Sequence, residues 1–165
     1  MTEDTFVNHE VAAFWRFISN SVDRLLALAE NLDAAGLTWQ PPAPETNSIY
    51  ALTMHTMGNA EENILQTLCG QPAGREWGPK FAQVGPGAMM AERWHDLRRR
   101  LVAALAHIAP GELDQDRAHP RRGTITGRDV LIVVARHAAE HLGQAELTRD
   151  LWQATRLGQE AALLH

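Results

Sequence analysis

The sequence predicts an all-α fold: an antiparallel four-helix bundle with a long crossover between the second and third helices, forming one domain over residues 1–165. Four segments of about twenty residues or more repeat apolar side chains at three- and four-residue spacing, which is typical of amphipathic helices. No segment alternates apolar and polar residues as a half-buried strand does. Hydrophobic residues make up 45% of the chain, which is enough for one core at this length.

The first predicted helix has the clearest amphipathic pattern. Its apolar residues are Val11, Phe14, Trp15, Ile18, Val22, Leu25, Leu26, Ala29 and Leu32. Gly36 is predicted to end it, and the prolines of residues 39–44 predict an extended connection in which no helix persists. The second helix is predicted to begin at Asn47 or Ser48, both good N-caps, and to run to Gly70.

Residues 70–87 contain five glycines and three prolines and predict an irregular connection. Connections of this length tend to be crossovers or functional loops. Trp77 and Phe81 would be costly to leave in water, so the segment is expected to pack on the bundle. We expect Arg75, Glu76 and Trp77 to be substrate contacts or part of a lid. The alternative is a packed crossover with no ligand role.

The third and fourth helices follow this crossover. The third has a narrow apolar seam of Met90, Trp94, Leu97, Leu101, Ala104, Leu105 and Ile108. Residues 110–111, Pro-Gly, are predicted to end it, and residues 120–123 predict a turn. Thr126 is the predicted cap of the fourth helix, with Asp129 as the reciprocal acid of a capping box, and that helix is predicted to run to about Thr155.

Charge and composition exclude several classes of function. The net charge of −5 argues against nucleic acid as a partner, because binding phosphates needs concentrated positive charge. The acidic start predicts no signal peptide, and no apolar run approaches the roughly 20 residues that span a bilayer. We therefore expect a cytoplasmic protein without membrane contacts. Cys69 is the only cysteine and is predicted to be a small core residue rather than a nucleophile.

Two histidines in the fourth predicted helix indicate a site. His137 and His141 are four residues apart, so their imidazoles lie on one helix face. Steps of about 100° per residue place both at the centre of the apolar side. An inward imidazole must form a hydrogen bond, ligate a metal, or cost a few kcal/mol. One inward histidine is usually a satisfied core residue, whereas two in register favour a metal.

A catalytic metal usually has three protein ligands and a water, so the chain must supply a third ligand. His55 is the best placed, because the second helix must pack near the fourth. The remaining histidines lie near helix ends, on polar faces, in the turn or at the terminus: His9, His95, His107, His119 and His165.

The segments Ser48–His55, with Glu61 six positions later, and His137–Gln144 resemble the DinB-like superfamily. This group includes DinB/YfiT-type bacterial proteins and S-transferases that use mycothiol or bacillithiol. The resemblance covers nearly the whole chain in helix order and connection lengths. Its specific motif is the lone histidine of the second helix together with H-x3-H-x2-Q in the fourth.

The resemblance implies a divalent metal, nickel or zinc, held by His55, His137 and His141 with positions left for water. Three neutral imidazoles leave the ion its full charge, so a bound water or thiol would be strongly acidified and would be the reacting group. Glu140 and Gln144 lie within one turn of the ligands and are candidates to orient the imidazoles or the water.

Glu61 is a further candidate to support the site. It lies in the apolar stripe of the second helix, so it must be salt-bridged or belong to a polar centre. An alternative interpretation takes His137, Glu140 and His141 as the H-x-x-E-H motif of inverted zinc peptidases, with the glutamate as base. Only 24 residues follow His141, which leaves little chain for a distant third ligand, so this interpretation ranks below the bundle.

Two classes of function remain open. The resemblance implies an enzyme in which the metal activates a low-molecular-weight thiol for S-transfer to an electrophile. A hydrolase that uses metal hydroxide ranks below it. The other class is a non-catalytic, stress-related metal-binding or interaction module. The narrow apolar seams and the five tryptophans are compatible with a homodimer.

Overall fold

The computed structural model describes residues 5–72 and 87–162. The predicted substrate contacts Arg75, Glu76 and Trp77, and the predicted packing of Phe81, lie outside the described residues. Within the described part of the chain, no helix combines the length and the apolar character needed to cross a membrane.

The structure confirms the all-α prediction. Its helices are α1 (His9–Glu30), α2 (Ala34–Thr38), α3 (Ile49–Ala60), which continues as a π-helical segment (Glu61–Leu68), α4 (Gly87–Leu105) and α5 (Gly127–Ala162). A short 3-10 turn (Glu112–Asp114) and two strands, β1 (Asp116–His119) and β2 (Gly123–Thr126), lie between α4 and α5. The bundle therefore consists of four long helices: α1, α3 with its π-helical continuation, α4 and α5.

Helices α1 and α5 run parallel. Glu10 near the start of α1 binds Arg128 near the start of α5, with Oε1 and Nε 2.6 Å apart. Further along both helices, Arg24 pairs with Glu146. Contacts that rise together in residue number require helices of the same direction.

Helix α3 runs antiparallel to α5, because contacts at rising positions on α3 meet falling positions on α5. His55 lies against His137, and Leu68 at the end of the π-helical segment lies against Gly127.

Helices α3 and α4 run parallel to each other. Arg93 donates a long hydrogen bond to the Met54 sulfur, 3.8 Å, and Arg100 binds Glu61 further along both elements. One pair of helices, α1 and α5, therefore opposes the other, α3 and α4. The predicted crossover between the second and third helices lies largely outside the described residues.

The predicted apolar faces form the core. Seven of the nine apolar residues predicted for α1 are buried, and Phe14 and Leu32 pack against them. All seven residues of the predicted α4 seam are buried as well. Burial of this surface is the dominant favourable term in folding.

Gly36 does not end the first helix as predicted. Helix α1 ends at Glu30, and Gly36 lies inside the short α2. A Cβ atom there would lie 2.4 Å from Nε1 of Trp152, so the glycine allows the indole of α5 to approach the backbone.

The second predicted helix begins and ends as expected but changes type. The Ser48 side chain accepts a hydrogen bond from the Ala51 N–H at 3.2 Å, and Gly70 adopts a φ of 64°. Cys69 N–H donates to Ile64 O, five residues earlier, at 3.0 Å, which is the π-helical pattern. An apolar stripe of two turns does not distinguish this wider helix from an α-helix.

The expectation that the chain contains no strands is wrong. Asp116–His119 pairs antiparallel with Gly123–Thr126 around the predicted turn. Each strand has only four residues, which is too short for an alternating pattern to show. The capping box is confirmed: Thr126 N–H donates to Asp129 at 3.0 Å, and Asp129 N–H donates to Thr126 Oγ1 at 3.1 Å. Helix α5 continues beyond the predicted end at Thr155.

The hairpin is fixed to the π-helical segment through His119. This buried imidazole accepts a hydrogen bond at Nδ1 from the Arg121 N–H, 3.1 Å, so its neutral form carries the proton on Nε2 and donates to Asn63 Oδ1, 3.0 Å away. Burial, with Arg122 and Arg121 nearby, lowers the pKa of His119. The hydrogen bond at Nδ1 requires the neutral ring, because a protonated Nδ1 cannot accept from the Arg121 N–H.

Stability should therefore depend on pH through His119. Below about pH 6.5, His119 becomes protonated in the unfolded chain, whereas its lowered pKa opposes protonation in the folded chain. The stability that His119 contributes above that pH is therefore lost as the pH falls. We expect the difference in free energy of unfolding between wild type and His119→Gln to shrink between about pH 7 and pH 5. Urea unfolding in a chelating buffer measures it, with exposed His95→Gln as the control for losing one histidine. A difference that does not change with pH would contradict this role.

Candidate metal centre

The antiparallel crossing of α3 and α5 brings three histidines together. The ring centroid of His55 lies 4.8 Å from that of His137 and 5.2 Å from that of His141. The two α5 rings are 4.2 Å apart and nearly perpendicular, at 82°. One nitrogen from each ring lies within 4.8 Å of the other two. The three residues predicted as ligands therefore form one group that can hold a metal ion.

The site lies at the edge of the core, not at its centre. The buried face of α5 includes Val134, Ala138 and Leu142, whereas His137 and His141 are half-buried. His55 is exposed. Steps of about 100° place both histidines at the centre of the apolar side, so the apolar face inferred from the sequence is rotated relative to the buried face of α5.

Gln144 forms a hydrogen bond with one of these imidazoles. His141 Nδ1 lies 2.8 Å from Gln144 Oε1, and because an amide oxygen only accepts, Nδ1 carries the proton. The lone pair of His141 is then on Nε2. The Nε2 atoms of His137 and His141 are both buried, and neither has a hydrogen-bond partner in the described part of the chain. Such unsatisfied atoms carry a desolvation cost that a metal ion would remove.

Two of the imidazoles, His137 and His55, have lowered pKa values. Burial, followed by the charges of His141 and His55, lowers the pKa of His137 to about 4. Burial, followed by His141 and Arg121, also lowers the pKa of His55. Both rings are therefore neutral at pH 7, and a neutral imidazole is the metal-ligating form.

The two glutamates predicted to support the site have other partners. Glu140 lies on the exposed side of α5, where Oε1 is 3.3 Å from Arg136 Nε. Glu61 is buried and salt-bridged, one of the two alternatives that the sequence left open: Oε1 lies 2.6 Å from Arg100 Nη1, and Oε2 lies 3.7 Å from Arg93 Nη2. The exposed, paired Glu140 does not favour the peptidase interpretation, in which this carboxylate activates water.

Sequence reasoning missed the charges beside the histidines. Arg121, in the turn between β1 and β2, binds both carboxylate oxygens of Glu62 at 3.1 and 2.8 Å. Both side chains influence the site, because Arg121 lowers and Glu62 raises the pKa of His55. The sequence shows the turn at residues 120–123, but no spacing rule places that turn against α3 and α5.

The chain's single thiol is not reactive at neutral pH. Cys69 is partly buried at the end of the π-helical segment, and burial raises its pKa to about 11. The thiol is therefore protonated at neutral pH and a poor nucleophile, as the sequence predicted.

A helical bundle that presents three imidazoles from two antiparallel helices defines a class of protein that can hold one metal ion. No fourth His, Cys, Asp or Glu of the described residues joins the group. The family model of the DinB superfamily matches residues 18–145 of this chain. The chain therefore belongs to the DinB superfamily. Among curated proteins, no relative matches it.

Cys69 is expected to resist alkylation in the folded protein. With a pKa of about 11, only about one thiol in several thousand is ionised at pH 7.5, against roughly one in ten for a free cysteine. Labelling by iodoacetamide should be at least about 100-fold slower in native protein than in the same protein unfolded in urea. Equal rates, followed by mass spectrometry, would make Cys69 a competing nucleophile.

Proposed function

We propose that this protein is a metal-dependent enzyme that activates a low-molecular-weight thiol for S-transfer to an electrophile. The ligands in this proposal are His55, His137 and His141, and the ion is nickel or zinc. The observation that carries the proposal is the pair of buried Nε2 atoms on α5 that have no hydrogen-bond partner in the described chain, in two rings that lie beside the third imidazole.

The donor set fits a divalent ion. Two nitrogens bound to one zinc at about 2.1 Å are at most about 4.2 Å apart, and the three ring nitrogens lie within 4.8 Å of one another. In a tetrahedral site the nitrogens would be about 3.4 Å apart, so binding would draw the three rings together by side-chain rotation. A divalent ion held there would lower the pKa of a thiol or water in its open positions.

The chain's own residues have separate roles in this proposal. Helix α5 supplies two ligands at fixed spacing, and Gln144 holds the ring of His141 in the tautomer whose Nε2 lone pair is free. His55 supplies the third ligand from α3. Because His55 is exposed, the third imidazole borders solvent, and a small molecule reaches the group from that side.

The proposed reaction balances as a substitution. The thiol sulfur attacks an electrophilic carbon, a carbon–sulfur bond forms, and the bond from that carbon to its leaving group breaks. The leaving group departs with the electron pair, and the thiol proton passes to solvent. No oxidant or reductant is needed.

The alternative class is a non-catalytic metal-binding or dimeric interaction module. Exposed leucines on α5 support an interaction surface: Leu147 is 60% exposed, Leu151 42% and Leu157 67%. The homodimer and the cytoplasmic location remain predictions. A hydrolase that uses metal hydroxide employs the same three ligands and ranks third.

Metal content is the first test of the proposal. Untagged wild type, incubated with nickel or zinc and dialysed, is expected to retain roughly one ion per chain, and His55→Ala much less. His141→Ala should lose the ion while keeping its helical circular dichroism, because the hydrophobic seams are intact. Gln144→Ala should weaken affinity by about 10- to 100-fold in a competition titration.

The matched control is His95→Ala, which removes an exposed histidine of α4. It should bind as wild type does. Absence of metal from wild type after incubation with both ions would refute the three-histidine site. Unfolding of His141→Ala would instead assign the metal a structural role and favour the non-catalytic module.

Thiol binding is the second test. Cobalt-loaded wild type is expected to gain a near-ultraviolet sulfur-to-cobalt charge-transfer absorption when 2-mercaptoethanol is added, because sulfur ligands bind such ions as thiolates. Nickel- or zinc-loaded protein should then accelerate conjugation of that thiol to 4-nitrobenzyl chloride, and His55→Ala should not. Tight metal binding with no spectral response to thiol would leave the interaction module as the better proposal.

A further inference from the structure

An ion pair borders the groove beside the three histidines. Arg121, in the turn of the hairpin, and Glu62, in the π-helical segment, both line a cavity of about 280 Å³ between α3 and α5. Asn59 lines this cavity from α3 and Val133 lines it from α5, and each lies four residues from a predicted ligand on its own helix. Because the two helices are antiparallel, both steps go in the same direction. The cavity therefore lies at the next level of the groove, about one helical turn from the imidazoles.

Arg121 is held in place by both its backbone and its side chain. Its N–H donates to Nδ1 of the buried His119, 3.1 Å away, and that ring binds Asn63 of the π-helical segment. Its guanidinium nitrogen Nη2 donates to the two carboxylate oxygens of Glu62, at 3.1 and 2.8 Å. Both attachments lead to the same helical segment. The hairpin therefore holds this positive charge at a defined position beside the site.

The positive member of the pair has the larger effect on the histidines. Arg121 lowers the pKa of both His55 and His137, and at His55 its effect exceeds the opposite effect of Glu62. From α5, Arg136 also lowers the pKa of His137. At these two imidazoles, the neighbouring arginines therefore outweigh the carboxylate.

We infer that Arg121 acts on the metal centre through its charge: it weakens binding of the divalent ion and strengthens binding of an anion, such as a thiolate, to that ion. The inference rests on the proposed function. A guanidinium repels a dication and attracts an anion, so one charge changes the two binding steps in opposite directions. The carboxylate of Glu62 has the reverse effect on each step. The balance of the two charges therefore sets how tightly the ion and the anion are bound.

The test measures both binding steps at low ionic strength and about pH 7.5, above the usual pKa of an imidazole. Competition with a chelator gives the affinity for cobalt, and visible absorption of the cobalt-loaded protein gives its affinity for azide, a simple anion. In Arg121→Gln we expect the cobalt affinity to rise about threefold and the azide affinity to fall about threefold. Glu62→Gln should change both affinities in the reverse direction. The effects are small because the Arg121 side chain is 71% exposed, so water and salt screen its charge.

A purely structural role of the ion pair predicts a different pattern. Either substitution breaks the pair, so loosening of the hairpin would weaken both binding steps in both variants. Arg121→Lys separates charge from shape, because a lysine ammonium can replace the single nitrogen that contacts Glu62 and keeps the positive charge. It should restore both affinities to near the wild-type values. Affinities reduced alike in Arg121→Gln and Glu62→Gln, or an absence of rescue in Arg121→Lys, overturn the inference.

The matched control is the exposed ion pair between Arg99 and Asp96, 2.6 Å apart on α4, a helix that carries none of the three histidines. Arg99→Gln and Asp96→Asn remove the same charges and should leave both affinities unchanged. Equal shifts in these variants would assign the effect to net charge and overturn the inference. Opposite shifts of cobalt and azide affinity as expected, together with no response of the cobalt-loaded protein to 2-mercaptoethanol, overturn the proposed function alone. Absence of cobalt binding in wild type overturns both.

Discussion

The close antiparallel contact between α3 and α5 is the constraint on which the site depends. At the start of α5, a Cβ on Gly127 would lie 2.9 Å from Leu68 Cδ1 and 3.3 Å from the backbone of Glu112 and Leu113. The glycine therefore allows the start of α5 to approach the 3-10 turn and the end of the π-helical segment closely. Since one helical turn is about 5.4 Å, a slip of that size would move His55 away from His137 and His141 and level with a different pair of residues.

On the side that faces α4, the end of α3 is positioned by an ion pair rather than by close backbone contact. Glu61 is buried and binds Arg100 and Arg93 from α4. Removing charges from water is costly, so such a pair adds little net stability compared with apolar residues, but breaking it leaves a buried charge without its partner. The pair therefore favours one docking position of α4 over others. The π-helical continuation of α3 therefore meets the start of α5 through a close approach and meets α4 through ion pairs.

The sequence predicted the parts of this arrangement that depend on local rules. The faces of α1 and α4 follow from apolar spacing, and the start of α5 follows from Thr126 and Asp129, because a capping box is formed within four residues. Periodicity located the pair His137 and His141 but not their depth, since burial of a helix face depends on which helices pack on it. His55 came from the expectation that the second helix packs near the fourth and from the resemblance to a family, because helical spacing alone does not single it out.

What the sequence did not predict depends on contacts between distant segments. The two strands are too short to show a pattern, and only their pairing places Arg121 beside Glu62 of the π-helical segment. The same pairing lays His119 against Asn63, 56 residues away in the chain. A turn motif predicts that the chain reverses direction, but it does not predict which other elements the turn contacts. The missed residues of the site are therefore those that tertiary packing, rather than helix spacing, brings together.

The position of the histidines at the edge of the core also follows from competing requirements. At the centre of the bundle, the imidazoles would be inaccessible to any molecule larger than water. On an open surface, water would solvate each lone pair and compete with a metal for it. The site combines burial and exposure at different histidines: the Nε2 atoms of His137 and His141 are buried, whereas His55 is exposed. The two buried nitrogens favour a metal ion, and the exposed third position keeps the group open to a small molecule from solvent.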